Sequence, residues 1–366
     1  MSPRLTLTAL PFLLAAGAAT AEVPDVVTDI AALQSLAAQV MGDLGTPEAL
    51  MEQGASPHGY ALRPSEARAL QQADVIFWTS PQLAPWLGEM IDRVAADAHS
   101  MPLATIEGTT VLELREGAGF ERHVHGGEDE AHGHDDHDHD GEEEHADHDH
   151  ADHDHDDHAH DDHAHDDHEH ETHDDHDHDD HDHDDHAVAH DHDHEGPDAH
   201  AWLDPVNARV WLGAMAEELS ALDPENAGTY RANAAAAQER IDVLLADVSA
   251  EMAPLSDLRF IVFHDAYQYF ENRFGLQAAG AISLSDASAP SPARVREIQQ
   301  VIATQEVSCV FSEPQFNPSL VETVLDGTDA HSAVIDPLGA AIPAGPDYYD
   351  RLIRDVAAAF VSCAAQ

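Results

Sequence analysis

The sequence predicts an α/β protein: two (βα) lobes with parallel sheets, joined by one long backbone helix. Three observations predict it. Short apolar runs alternate with amphipathic helical patterns over the first hundred residues, and the same alternation resumes after residue 253. Before that second block lies one long stretch whose apolar positions recur three and four residues apart. Strand–helix alternation builds parallel sheets covered on both faces, and a steady three-four spacing builds one face of a helix.

Taken in order, Met1 to Ala21 carries one early charge (Arg4), an apolar stretch broken by Pro11, and the small-residue end Ala19-Thr20-Ala21. That is the layout of a secretory signal cleaved before Glu22, and it is too short for a comfortable membrane anchor. The N-terminal lobe is expected over residues 22–222, with an insertion at 121–195. Its strands are expected at Val23–Thr28, Asp74–Trp78 and Pro102–Ile106. Its helices are expected at Ile30–Met41, from Pro64, at Leu83–Ala95 and at Pro205–Leu222. A linking helix is expected over 223–252, with Asp223 as N-cap and Pro224 at the first helical position. Tyr230, Ala234, Ala237, Ile241, Leu244, Val248 and Met252 form its apolar face. About 28 residues at 1.5 Å rise make a rod of about 42 Å, long enough to span two lobes. The C-terminal lobe is expected over 253–366. Its strands are placed at Phe260–Phe263, Ala278–Ile282, Val307–Phe311 and Ala333–Ile335. Its helices are placed at Ala266–Phe274, Pro292–Thr304, Pro318–Leu325 and Tyr348–Val361.

The insertion has a different composition. Residues 121–195 hold 34 acidic residues, 26 His and one Arg, hence −33 of the chain's net charge of −57. Such a charge excludes nucleic acid and anionic membrane as partners. With almost nothing apolar to bury, the tract is expected to be disordered without metal. Alternating His and Asp, beginning with His123, His125, His132, His134, His137 and His139, is a dense supply of nitrogen and oxygen ligands. The alternative is a merely solvated, solubilising run. A flexible tract of this length reaches about 50 Å, so it can pass a cleft mouth and act as an auxiliary metal collector. Its imidazoles titrate near pH 6.5, so its loading should fall as the medium acidifies.

Two cysteines occur, Cys309 and Cys363. In an oxidising compartment an isolated pair is most simply a disulfide, with two buried thiols as the alternative. A cysteine metal site is disfavoured, because 54 residues separate the two and neither has a partner ligand beside it.

Outside the tract five histidines remain: His58, His99, His200, His264 and His331. His58 (GASPHGYALRPS) and His200 (DAHAWLDP) each lie just before a helix start. His264 ends the apolar strand RFIVFH. Asp336, in VIDPLG, also follows a strand and is a fourth candidate, with a turn-forming role before Pro337 as its alternative. Ligand sites of open α/β sheets form at the carboxyl ends of strands. Three neutral imidazoles and one oxygen suit four-coordinate Zn²⁺. His99 and His331 lack such a junction and are read as ordinary surface or packed residues.

The strings SPHGYALRPS, HAWLDP, FHDAYQYFENRFGL, SEPQFNP and DPLG resemble those of the metal-binding solute receptors of ABC importers, closest to the ZnuA-type zinc uptake receptors. The resemblance covers nearly all of the mature chain. It implies a monomeric periplasmic receptor that holds one Zn²⁺ between two lobes and delivers it to an inner-membrane permease with its ATPase. It implies His58, His200 and His264 as zinc ligands, and a Cys309–Cys363 disulfide. Some zinc receptors carry Glu just before the first ligand, where this chain has Pro57. The fourth ligand is therefore open among Asp336, a water and a tract histidine. The rivals are a manganese or iron receptor of the same family, a zinc hydrolase and a periplasmic zinc buffer. Against the hydrolase, no HExxH-type arrangement occurs, and Glu313 reads as cleft wall.

Overall fold

A computed structural model describes residues 23–115, 120, 196–283 and 290–366. The expected signal and the tract at 121–195 lie outside the described residues. Contacts divide the chain into two units, one formed by residues 1–123 with 193–366 and the other by 124–192. All of the described elements belong to the first unit.

The first half builds β1 (Val26–Thr28), α1 (Ala31–Met41), β2 (Glu48–Ala49), α2 (Pro64–Gln72), β3 (Val75–Trp78), α3 (Pro85–Val94) and β4 (His99–Pro102). Then come α4 (Pro205–Leu222) and α5 (Ala227–Met252). The second half builds β5 (Phe260–His264), α6 (Gln268–Phe274), β6 (Gly280–Ser283), α7 (Pro292–Gln305), β7 (Cys309–Ser312), α8 (Pro318–Leu325), β8 (His331–Val334) and α9 (Tyr348–Ala364). Pro64, Pro85, Pro205, Pro292 and Pro318 each open a helix, where a missing N–H costs nothing and φ is already helical.

Both sheets are four-stranded and parallel, with orders β2-β1-β3-β4 and β6-β5-β7-β8. The two orders are the same arrangement used twice. In each, the chain reverses direction across the sheet between its first and third strands, which opens a crevice at their carboxyl ends. Alternation along the strands sorts the core into layers. Val26, Val75, Phe77, Phe260, Val262 and Phe311 face one continuous core that also holds α1, α4, α5 and α9. Ile261, Phe263 and Val310 face a separate outer layer of the second lobe, and Val27, Ile76 and Trp78 that of the first.

Two sequence expectations are corrected, and one strand is added. The strand expected at Pro102–Ile106 is β4, which begins at His99 and pairs with β3 through Pro102; Leu103–Thr105 is a single 3₁₀ turn. Its first residues are exposed and polar, so hydrophobicity missed them. The two-residue edge strand β2 was too short to show. The linking helix starts at Ala227, and Asp223 instead ends α4. The Asp223 carboxylate accepts from the Asn226 side-chain amide (2.7 Å) and the Tyr230 hydroxyl (2.9 Å), so it organises the turn between the helices. The remaining 26 residues still make a rod of about 39 Å.

Cys309 in β7 and Cys363 in α9 form a disulfide with a Cα separation of 6.1 Å. Among the described residues no helix is long and apolar enough to cross a membrane.

Candidate metal centre

His264 is the last residue of β5, and Glu313 follows the end of β7, so both stand at the crevice of the second sheet. His200 opens the turn Ala201–Leu203, which leads into α4. His58 lies in the loop between β2 and α2. Trp86 Nε1 donates to the Pro57 carbonyl at 2.9 Å and holds that loop. Glu66 braces its far end, accepting from the Tyr60 hydroxyl (2.9 Å) and the Arg63 N–H (2.7 Å).

The three imidazoles, separated by up to 206 residues of sequence, are neighbours in space. Ring centroids lie 5.6 Å apart for His58 and His200, and 5.3 Å apart for His200 and His264. His200 and His264 are each 6% exposed, and His58 is half-buried. With side chains as they stand, no group of three His, Cys, Asp or Glu among the described residues could hold a metal ion. The centroid spacing is nonetheless close to what a shared ion demands. Rings bound tetrahedrally with Zn–N of about 2.0–2.1 Å have centroids about 5 Å apart.

Two of the rings are oriented by buried carboxylates. His264 Nδ1 lies 2.6 Å from Glu313 Oε1, and His200 Nδ1 lies 2.7 Å from Asp198 Oδ1. The same Asp198 oxygen accepts the His200 backbone N–H at 2.9 Å, a tight turn that fixes both. A carboxylate at Nδ1 places the ring proton there and the lone pair on Nε2, which is the tautomer a metal ligand needs. Burial raises the Asp198 carboxyl to about 7, against the His200 N–H and the charge of Arg115, which lower it. Burial likewise raises Glu313. A cation arriving in the crevice would favour the charged form of both.

Sequence reasoning missed these two partners. The signal was present for Asp198, an acidic residue two before a histidine in a turn. Glu313 needed the β5–β7 pairing to be found, because 49 residues separate it from His264.

Asp336 is close by, but its oxygens serve the loop that follows β8. Oδ1 accepts from Leu338 N (3.0 Å) and Gln315 Nε2 (2.9 Å), and Oδ2 accepts from Ala340 N (2.7 Å). His99 and His331 are exposed residues at the opposite, amino ends of β4 and β8. The named tract histidines lie outside the described residues.

The walls of the crevice are apolar and tied across the lobes. The rings of Trp202 and Phe316 lie 5.3 and 5.5 Å from His200 and His264. Trp202 Nε1 donates to the Pro337 carbonyl at 3.1 Å, and Gln53 Nε2 donates to the Gly339 carbonyl at 2.7 Å. Gly54, at φ +80°, sits against Ala340; a Cβ there would come within 2.6 Å of the alanine Cβ. The cavity between the three histidines, Trp202, Gln315 and Phe316 measures about 20 Å³. A single water needs about 10–15 Å³ by the same measure, so the space is on the scale of an ion and a water.

Beside the site, the chain on either side of the tract is clamped together. Leu114 N donates to the Gly196 carbonyl (3.0 Å), and Asp198 N donates to that of Leu112 (2.7 Å). Arg115 then crosses to the second lobe, where it ion-pairs with Asp265 and with Glu271 (2.7 Å).

Two parallel-sheet lobes with a small histidine-lined crevice between them define a class: the solute-binding receptors that capture metal ions. The same architecture is found in the solved structure of FpvC from Pseudomonas aeruginosa in complex with Mn²⁺. That likeness has a TM-score of 0.65 at 17% identity and covers 93% of this chain and 98% of that one. A crystal structure of ZnuA matches with a TM-score of 0.61 at 20% identity, over 92% of this chain and 99% of that one. The chain belongs to the family described as zinc-uptake complex component A, periplasmic, whose profile matches residues 26–363. The high-affinity zinc uptake system protein ZnuA of Brucella abortus (strain 2308) is 43% identical over 342 residues, covering 92% of this chain and 91% of that protein.

Proposed function

We propose that this chain captures Zn²⁺ in the periplasm with His58, His200 and His264, and hands it to an ABC-type permease powered by a partner ATPase. The observation that carries the reading is the spacing of the three rings, 5.6 and 5.3 Å, beside the spacing of about 5 Å for imidazoles sharing one tetrahedral ion. The donor set supports zinc over manganese, since imidazole suits Zn²⁺ whereas Mn²⁺ favours carboxylate and water. The first relative named above is itself called a zinc uptake protein. Capture without catalysis is supported by the carboxylates. Asp198 and Glu313 are both engaged with Nδ1 of a histidine, where they orient ligands rather than stand ready as a general base.

His58, the most exposed of the three, is the side from which the ion comes and goes. The tract at 121–195 gathers Zn²⁺ weakly at many positions and raises its concentration there. In support, the described residues on either side of it, 112–115 and 196–198, are hydrogen-bonded to each other, and the latter lead directly into His200. Residues 1–21 direct export and are removed, and the receptor acts as a monomer.

Metal competition on the purified protein tests the core of this. One equivalent of Zn²⁺ should resist a strong chelator, Mn²⁺ should fail to displace it, and alanine at His58, His200 or His264 should abolish that equivalent. Survival of the tight equivalent in any of the three variants would remove that residue from the site. Preference for Mn²⁺ would make the chain a manganese receptor of the same fold.

A further inference from the structure

The fourth coordination position is unassigned by the three imidazoles, and the polar groups around the cavity bear on it. Asp336 is the anionic candidate. Its two oxygens already accept three hydrogen bonds, from Leu338 N, Ala340 N and Gln315 Nε2, and it does not line the cavity. Gln315 does line it. Because Asp336 Oδ1 can only accept, the amide group at 2.9 Å from it must be the NH₂ end, which fixes the orientation of the side chain. The other end, Oε1, is buried and has no hydrogen-bond partner among the described residues. Buried carbonyl oxygens are rarely left so, and one beside a site for a hydrated cation invites a water that donates to it.

We propose that Gln315 sets the fourth ligand: its Oε1 accepts a hydrogen bond from a water that completes the coordination of the ion, and Asp336 positions the amide instead of binding the metal. This rests on the three-histidine reading above and adds the oxygen ligand to it. The cavity of about 20 Å³ has room for that one water beside an ion. The water is polarised by the ion and so donates well, which matches an acceptor-only oxygen. The consequence is selectivity. A neutral amide between the ion and Asp336 keeps the coordination sphere at three imidazoles and a water, whereas a direct carboxylate would add the hard anionic oxygen that suits Mn²⁺. Gln315 is therefore a positioning residue that tunes which metal is held.

The test uses the full chain loaded with Zn²⁺, crystallised with anomalous data at the zinc edge, beside chelator competition for the tight equivalent. In the parent, an oxygen peak should bridge the zinc and Gln315 Oε1. In Gln315→Leu the zinc should remain on the three histidines, lose or displace that oxygen, and bind about tenfold more weakly, the scale of losing an outer-sphere partner. In Gln315→Glu the preference for Zn²⁺ over Mn²⁺ should narrow. Asp336 or Gln315 bound directly to zinc in the parent would overturn the proposal, and so would a Gln315→Leu variant with unchanged affinity and an unmoved water. Zinc found away from the three histidines would instead overturn the reading beneath it.

Discussion

Glu313 and Asp198 are almost wholly buried and form no part of a helix or strand, yet they decide how two imidazoles present themselves. Each holds an Nδ1 proton, so the ring can neither flip nor change tautomer without breaking a buried bond. Glu313→Gln preserves size but removes the charge that makes His264 a stronger donor. Its Zn²⁺ affinity should fall about 10–100-fold with the fold intact, as chelator competition would read; an unchanged affinity would show that the carboxylate only packs. The first sheet offers a contrast at the corresponding crevice. Asp29, directly after β1, accepts from Ile30 N (2.8 Å) and from Thr79 N (2.7 Å) just beyond β3. Burial pushes its carboxyl up to about 6, and the hydrogen bonds from Thr79 and Ile30 only partly offset that. A native pKa above the unfolded one means the folded state binds the extra proton. The stability Asp29 provides is therefore full below about pH 4 and is lost as pH rises through about 6, a change of about 3 kcal/mol. Asp29→Asn cannot ionise, so its stability relative to the parent should improve by about that amount between pH 4 and 7 in urea titrations. A difference that does not vary with pH would place the Asp29 pKa in the ordinary carboxylate range.

At the scale of elements, α5 is the clearest case of sequence reading through to packing. The seven positions that its periodicity singles out, Tyr230 through Met252, are the seven that are buried along it. They face α1, α4 and α9 in the core shared by both sheets. Leu244 is wholly buried at its middle, so Leu244→Ala should cost about 2–5 kcal/mol in thermal or urea unfolding. A loss below about 1 kcal/mol would mean that the helix merely lies over the lobes. The start of α5 is not legible locally, because Asp223 and Pro224 are good helix openers in isolation. Nothing nearby in sequence says that Asp223 must first close α4 and bind Tyr230 from the next helix. The same holds for β4. Its place is set by pairing with β3, and an exposed strand start carries no hydrophobic signal.

Across the whole molecule, the inner faces of both sheets contribute to one core, so the lobes are welded through α1, α4, α5 and α9 rather than hinged on a thin linker. The tract is the other feature at this scale. Deleting residues 121–195 should remove most bound Zn²⁺ equivalents, counted by metal analysis after dialysis, and leave one that survives chelator challenge. Loss of the surviving equivalent too would make the tract a part of the tight site. The tract's share of loading should fall as pH drops through about 6.5, when its imidazoles take up protons.

By itself the sequence determines an α/β class, two sets of parallel strands, a long amphipathic helix and three histidines at element junctions. These are local signals: periodicity, proline at helix starts and the polarity break at a strand end act within a few residues. The strings shared with zinc receptors carried the family as well, which the relatives bear out. Tertiary structure alone decided which carboxylate faces which imidazole, and that Asp336 serves its own loop while Gln315 faces the cavity. Those pairings join residues up to 49 positions apart through strand register. Which atom points at which is settled only when the sheet has formed, because a hydrogen bond a few ångströms long has no counterpart in linear order.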